Sequence, residues 1–138
     1  MGWHDGHLHR FRTGVVTTAG RRYLEEVSEG AERTAWLDQI APNAKDRVRY
    51  DDDFGDGWEH DILVEAVLPL APDARYPNCL AGKRACPPED CGGVWGYAEL
   101  LDAIADPRHP EHDEPREWLG RPFDPEAFNL DEVNQRLA

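Results

Sequence analysis

A chain of 138 residues suits one domain, and an apolar fraction of 40% is enough for a core, which excludes wholesale disorder. Acidic side chains number 28 against 15 basic ones, and the formal charge of −13 opposes phosphate backbones and anionic membranes. No apolar run reaches the length of a bilayer span, no basic-then-apolar leader opens the chain, and three cysteines without an export signal point to reduced thiols in a cytoplasm.

Taken in order, His7, His9 and Phe11 alternate with Leu8, Arg10 and Arg12, a period of two that predicts a strand. Val15 to Thr18 reads as a short extended piece, 19–22 as a turn and 25–32 as polar loop. Thr34 to Ile40 predicts a short helix with Ala35, Trp36, Leu37 and Ile40 as its apolar stripe and Pro42 beyond its end. Arg47 to Tyr50 alternates again. Asp51 to Gly57 (DDDFGDG) has the composition of a hairpin turn, and its spacing does not fit a calcium loop. Trp58 to Leu68 reads as one long strand, with Trp58, His60, Ile62, Val64, Ala66 and Leu68 on one face and Glu59, Asp61 and Glu65 on the other.

The segment from Tyr76 to Tyr97 holds all three cysteines, three prolines and four glycines, so it reads as a shaped loop. Beyond it, Tyr97, Leu100, Leu101, Ile104 and Ala105 recur at helical spacing. His109-Pro110-Glu111, Asp124-Pro125-Glu126 and Asn129-Leu130-Asp131 are further helix starts, and Gly120 stops the helix before it. Strands first and helices last predict an α+β fold, a mostly antiparallel sheet with C-terminal helices packed on it.

Several side-chain groups carry chemistry by type. Cys79, Cys86 and Cys91, with His60 as fourth donor, are a candidate zinc set, since zinc takes thiolates and imidazoles in a tetrahedron. Plain free thiols and a Cys86–Cys91 or Cys79–Cys86 disulfide are the alternatives. His4, His7 and His9 form a second histidine group, and His109 to His112 reads as a helix start. Glu89 and Asp90 are adjacent carboxylates whose ordinary role is loop hydrogen bonding. No nucleophile elbow, phosphate loop or dinucleotide fingerprint is present.

The pieces MGWHDGHLHRF, YDDDFGDGWEHDILVE, YPNCLAGKRACPPEDCGGVWGYAELLDAIADPRHPEHDEPREWLG and FDPEAFNLDEVNQRL, in that order, resemble the plasmid pRiA4b ORF-3-like family over most of the chain. The resemblance implies an α+β fold with an antiparallel sheet and C-terminal helices. It carries over no catalytic residues. Members of the family bear a resolvase or transposon-passenger label, which no serine-nucleophile signature or basic arm supports here. Similar proteins begin with a further strand and helix, so the expectation is a single domain over 1–138 that starts short, with an exposed sheet edge through which a second copy pairs. The functional expectation is a binding or interaction module for a protein or small ligand. Its surface is the 76–97 loop with Trp58, His60, Lys83, Glu89, Asp90, Trp95 and Tyr97. A metal-dependent or mobile-element-associated nucleic-acid-processing protein is the alternative.

Overall fold

Alternation sets the first strand. β1 (His9–Val16) places His9, Phe11 and Thr13 on one face and Arg10 and Arg12 on the other. It pairs antiparallel with β2 (Arg22–Glu26) on one side, Val15 opposite Tyr23, and with β3 (Arg47–Asp52) on the other, Phe11 opposite Tyr50. β4 (Trp58–Leu63) returns along β3, Tyr50 opposite His60. The four strands are ordered β2-β1-β3-β4 and every pairing is antiparallel. This computed structural model describes Trp3 and residues 6–16, 22–26 and 34–138. His4, residues 17 and 18 of the expected extended piece and 19–21 of the expected turn lie outside the described residues, as does most of the expected loop at 25–32.

The β3–β4 turn is the predicted hairpin. Asp53 and Gly57 take left-handed φ of 51° and 68°, and the Gly57 amide donates to the Asp53 carbonyl at 2.6 Å. The Asp53 carboxylate accepts from the Gly55 and Asp56 amides at 2.9 and 3.3 Å.

Two expectations about the strand bounds change. Arg22, expected in a turn, and Glu25 and Glu26, expected in a loop, belong with Tyr23 and Leu24 to a strand, because β1 supplies a partner for its backbone. β4 ends at Leu63 rather than Leu68. Its register with β3 closes at Arg47–Leu63, and one further pair of bonds links Val64 to Lys45 and Asp46. Past that point a strand has no ladder to join, and Val67 and Leu68 are 66% and 79% exposed.

The two faces of this sheet differ in chemistry. On one, His9, Phe11, Tyr50 and His60 form a row of rings, with Phe11 4.7 Å and His60 5.6 Å from Tyr50 between centroids. Val48 beside them is 1% exposed. On the other face, Asp51 stands opposite Glu59, a like-charge pair that by itself destabilises. Arginines resolve it: Arg10 and Arg12 each reach Asp51 at 2.7 Å, and Arg49 reaches Glu59 at 3.2 Å and Asp61 at 3.1 Å.

The helices begin with α1 (Leu37–Ile40), a single turn whose predicted stripe is not buried, Trp36 and Leu37 being 71% and 60% exposed. α2 (Gly93–Ala105) is the longest and buries Leu100 and Ala103. α3 (Asp113–Leu119) starts later than His109-Pro110-Glu111 suggests and stops at Gly120, whose φ of 62° lets its amide reach the Arg116 and Glu117 carbonyls. α4 (Leu130–Leu137) is capped by Asn129, which accepts from the Asp131 and Glu132 amides. Asp124 to Ala127 makes only a turn, not a helix start.

Strands in the first half, with the single turn of α1 among them, and the longer helices in the second make the fold α+β, as expected. Contacts divide the chain into two compact units. One is residues 5–69, the sheet with α1; the other is residues 70–138 with the first four residues, holding the cysteine loop and α2 to α4. Among the described residues no helix is long and apolar enough to cross a membrane.

Candidate functional site

The 76–97 segment is held by the residues that follow it in the chain, 123–134, in reverse order. Asn134 makes the first clasp. Its side-chain amide accepts from the Cys79 backbone N–H at 2.8 Å and donates to the Cys79 carbonyl at 3.0 Å, as a neighbouring strand would. Next, the Phe128 ring lies so close over Gly82 that a Cβ would collide with it. The Ala85 amide donates to the Pro125 carbonyl at 2.9 Å, and Arg84 pairs with Glu126 at 3.3 Å where both are exposed. Last, the Tyr97 and Phe123 rings meet edge to face at 6.3 Å. Trp3 adds an indole N–H bond to the Pro87 carbonyl at 2.7 Å.

The loop turns into α2 through left-handed residues. Asp90, Gly92 and Gly93 have φ of 53°, 85° and 67°. The turn folds the Cys91 carbonyl directly against Gly96, where any Cβ would collide with its oxygen, so glycine is obligatory there. This seat fixes the first helical turn, and that turn carries Val94 and Trp95 outward, 60% and 83% exposed.

The sequence-derived residues divide as follows. Trp58 and His60 lie together on β4, both half-buried, and the Nδ1–H of His60 donates to the Tyr50 carbonyl at 3.2 Å. Lys83, Asp90 and Trp95 are exposed along the loop and its exit, and Glu89 is half-buried. Tyr97 is part of the frame rather than the surface. Burial raises its phenol pKa above the ordinary value, the nearby Cys91 side chain adds to the rise, and Arg84 opposes it.

All three cysteines are half-buried and outside any disulfide, so neither disulfide alternative forms. The Cys79 thiol donates to the Ala81 carbonyl at 3.4 Å, and the Cys91 thiol makes a longer contact of 4.0 Å to the Gly93 carbonyl. Among the described residues the three sulfurs do not come within mutual ligand reach as one set. The reason is local: Asn134 draws Cys79 to α4, whereas Cys91 lies two residues before α2 with its carbonyl against Gly96. Of the histidines, His7 is 3.5 Å from Asp53, and His9 packs on the Tyr50 ring. His112 donates from Nδ1 to the Ala103 carbonyl at 2.9 Å and accepts at Nε2 from Arg116, which makes it a joint between α2 and α3.

Sequence reasoning missed two features. Leu80, 83% exposed, is a further open apolar side chain of the 76–97 segment, as is Val94 on the first turn of α2. Asp51, 5% exposed, is the hub of the arginine face. Its burial alone would raise the carboxyl pKa, but the hydrogen bonds and charges of Arg12 and Arg10 outweigh that and hold it below the usual carboxylate value. Nothing in the local composition of DDDFGDG marks Asp51, because its partners come from a strand about forty residues earlier.

Known proteins place this arrangement among relatives. The profile of the plasmid pRiA4b ORF-3-like protein family matches residues 1–132. The uncharacterized protein y4hQ of Sinorhizobium fredii (strain NBRC 101917 / NGR234) is 39% identical over 141 residues, an alignment covering 99% of this chain and 71% of that protein. The crystal structure of MM3350, a protein of unknown function from Methanosarcina mazei Go1, superposes with a TM-score of 0.78 at 37% identity, covering 96% of this chain and 75% of that one.

Proposed function

The chain belongs to the plasmid pRiA4b ORF-3-like protein family, and from that premise we propose that it is a binding module whose working surface is the 76–97 loop and the first turn of α2. One observation carries the reading. The backbone there is clasped at Cys79, Gly82, Ala85 and Tyr97, yet Leu80, Val94 and Trp95 are left exposed. A fixed frame with an unburied indole binds at low entropic cost, because little remains to be ordered when a ligand arrives. Lys83 and Asp90, both exposed on the same segment, would orient a polar partner, and half-buried Glu89 would line its edge.

The test is a library of small molecules and short peptides screened by amide-shift mapping on the full chain. Hits should move the Leu80, Lys83, Val94 and Trp95 signals, and Trp95→Ala should weaken them about tenfold or more, the loss expected of an interface anchor. Hits that map only elsewhere, or that bind Trp95→Ala unchanged, would remove the proposal.

A further inference from the structure

β4 is an edge strand of the sheet among the described residues, and the direction of its free backbone groups follows from its register. Val64 donates to the Asp46 carbonyl and accepts from the Lys45 amide, so its polar groups face the β3 side. In an antiparallel ladder such groups alternate, which sends the N–H and C=O of Glu59, Asp61 and Leu63 away from β3. An outward row of donors and acceptors is a template for one more strand.

The side chains along that row decide what kind of strand. Glu59 and Asp61 have side chains 59% and 58% exposed, on the arginine face. Both pair with Arg49, Glu59 also lies 3.8 Å from Arg12, whose nearer partner is Asp51 at 2.7 Å, and Glu65, exposed, follows beyond the strand end. On the other face stand Trp58, half-buried, and Ile62, 40% exposed. A second copy pairing about a twofold axis at Asp61 would set carboxylate against carboxylate. We propose that the β4 edge takes an extended peptide segment that alternates basic and apolar residues. Its basic side chains lie beside Glu59, Asp61 and Glu65, and its apolar ones extend the Trp58–Ile62 face. This occupant is separate from whatever the 76–97 loop binds.

The experiment uses the full chain and a labelled seven-residue peptide alternating valine and lysine, followed by fluorescence anisotropy. Two controls set the pattern: the same residues in blocks, and valine alternating with glutamate. Both should bind about tenfold weaker or less, since exposed ion pairs contribute only a few-fold each. N-methylation of the peptide amides that face β4 should abolish binding, and N-methylation of the opposite amides should not. In a Glu59→Lys, Asp61→Lys variant the preference should move to the valine–glutamate peptide. Should that variant not fold, judged by circular dichroism, the peptide controls on the native chain decide alone. Equal binding of alternating and block peptides, indifference to N-methylation, or no binding of the alternating peptide overturns the proposal. So does a dimer in light scattering that Leu63→Asp dissolves, which would give the edge to a second copy.

Discussion

The sheet and the cysteine loop are held in different ways. In the sheet, Val48 to Asp52 of β3 are paired on both sides by a repeating backbone register, and the charged face shares three arginines among three carboxylates. The loop has no register. It depends on single fits: one asparagine clasping Cys79, one ring over Gly82, one glycine under the Cys91 carbonyl. A repeated pattern spreads the effect of a change over its neighbours. A single fit concentrates it, and so can fix one side chain, here Trp95, in the open.

The sharpest way to break this contrast is Gly96→Ala. In an ordinary helix interior the change stabilises by about 1 kcal/mol. Here the new Cβ meets a backbone oxygen, and the expected outcome is a loss of about 3 kcal/mol in urea unfolding. A gain in stability would mean that the Cys91 carbonyl is not seated there.

Asp51→Asn tests the sheet. It keeps the shape but removes the charge that Arg10 and Arg12 share, and with both arginines partly exposed the cost is about 2 kcal/mol. The pH dependence has a defined sign. The folded Asp51 carboxyl titrates below its unfolded value. Its stabilisation is therefore complete above that unfolded value, about 3.9 for a free aspartate, and disappears as pH falls through the folded value. Unfolding midpoints followed downward from about pH 5 should drop more steeply for the native chain than for Asp51→Asn. Parallel curves would mean that the pair of arginines does not hold the charge.

Asn134→Ala leaves the Cys79 N–H and C=O without their clasp, at a cost of about 1–2 kcal/mol. Hydrogen exchange should locate the effect: faster at residues 76–85 and unchanged in β3. Exchange that speeds up equally in both regions would erase the distinction between single fits and shared register. The smallest expected effect on stability is Trp95→Ala, within about 0.5 kcal/mol, because the indole is already exposed. Neutral stability together with lost ligand binding would mark Trp95 as surface; a large destabilisation would return it to the core.

Much of the fold was legible because it depends on local period and punctuation. The alternation in residues 7–12, 47–50 and 58–63, the Asp-Gly turn between the last two, the helical spacing from Tyr97 to Ala105, Gly120 as a stop and Asn129 as a cap all act over a few residues. So does the proline-glycine loop itself. What stayed illegible needed a partner distant in sequence. Arg22–Glu26 became a strand only through β1, and 64–68 failed to become one once β3 had ended. The roles of the aromatics were equally closed to inspection: Trp95 and Tyr97, two residues apart, end as exposed surface and half-buried frame because Phe123 covers one of them. Backbone preference is written into neighbouring residues. Burial, ion pairing and the openness of a surface are properties of pairs that only the folded chain brings together.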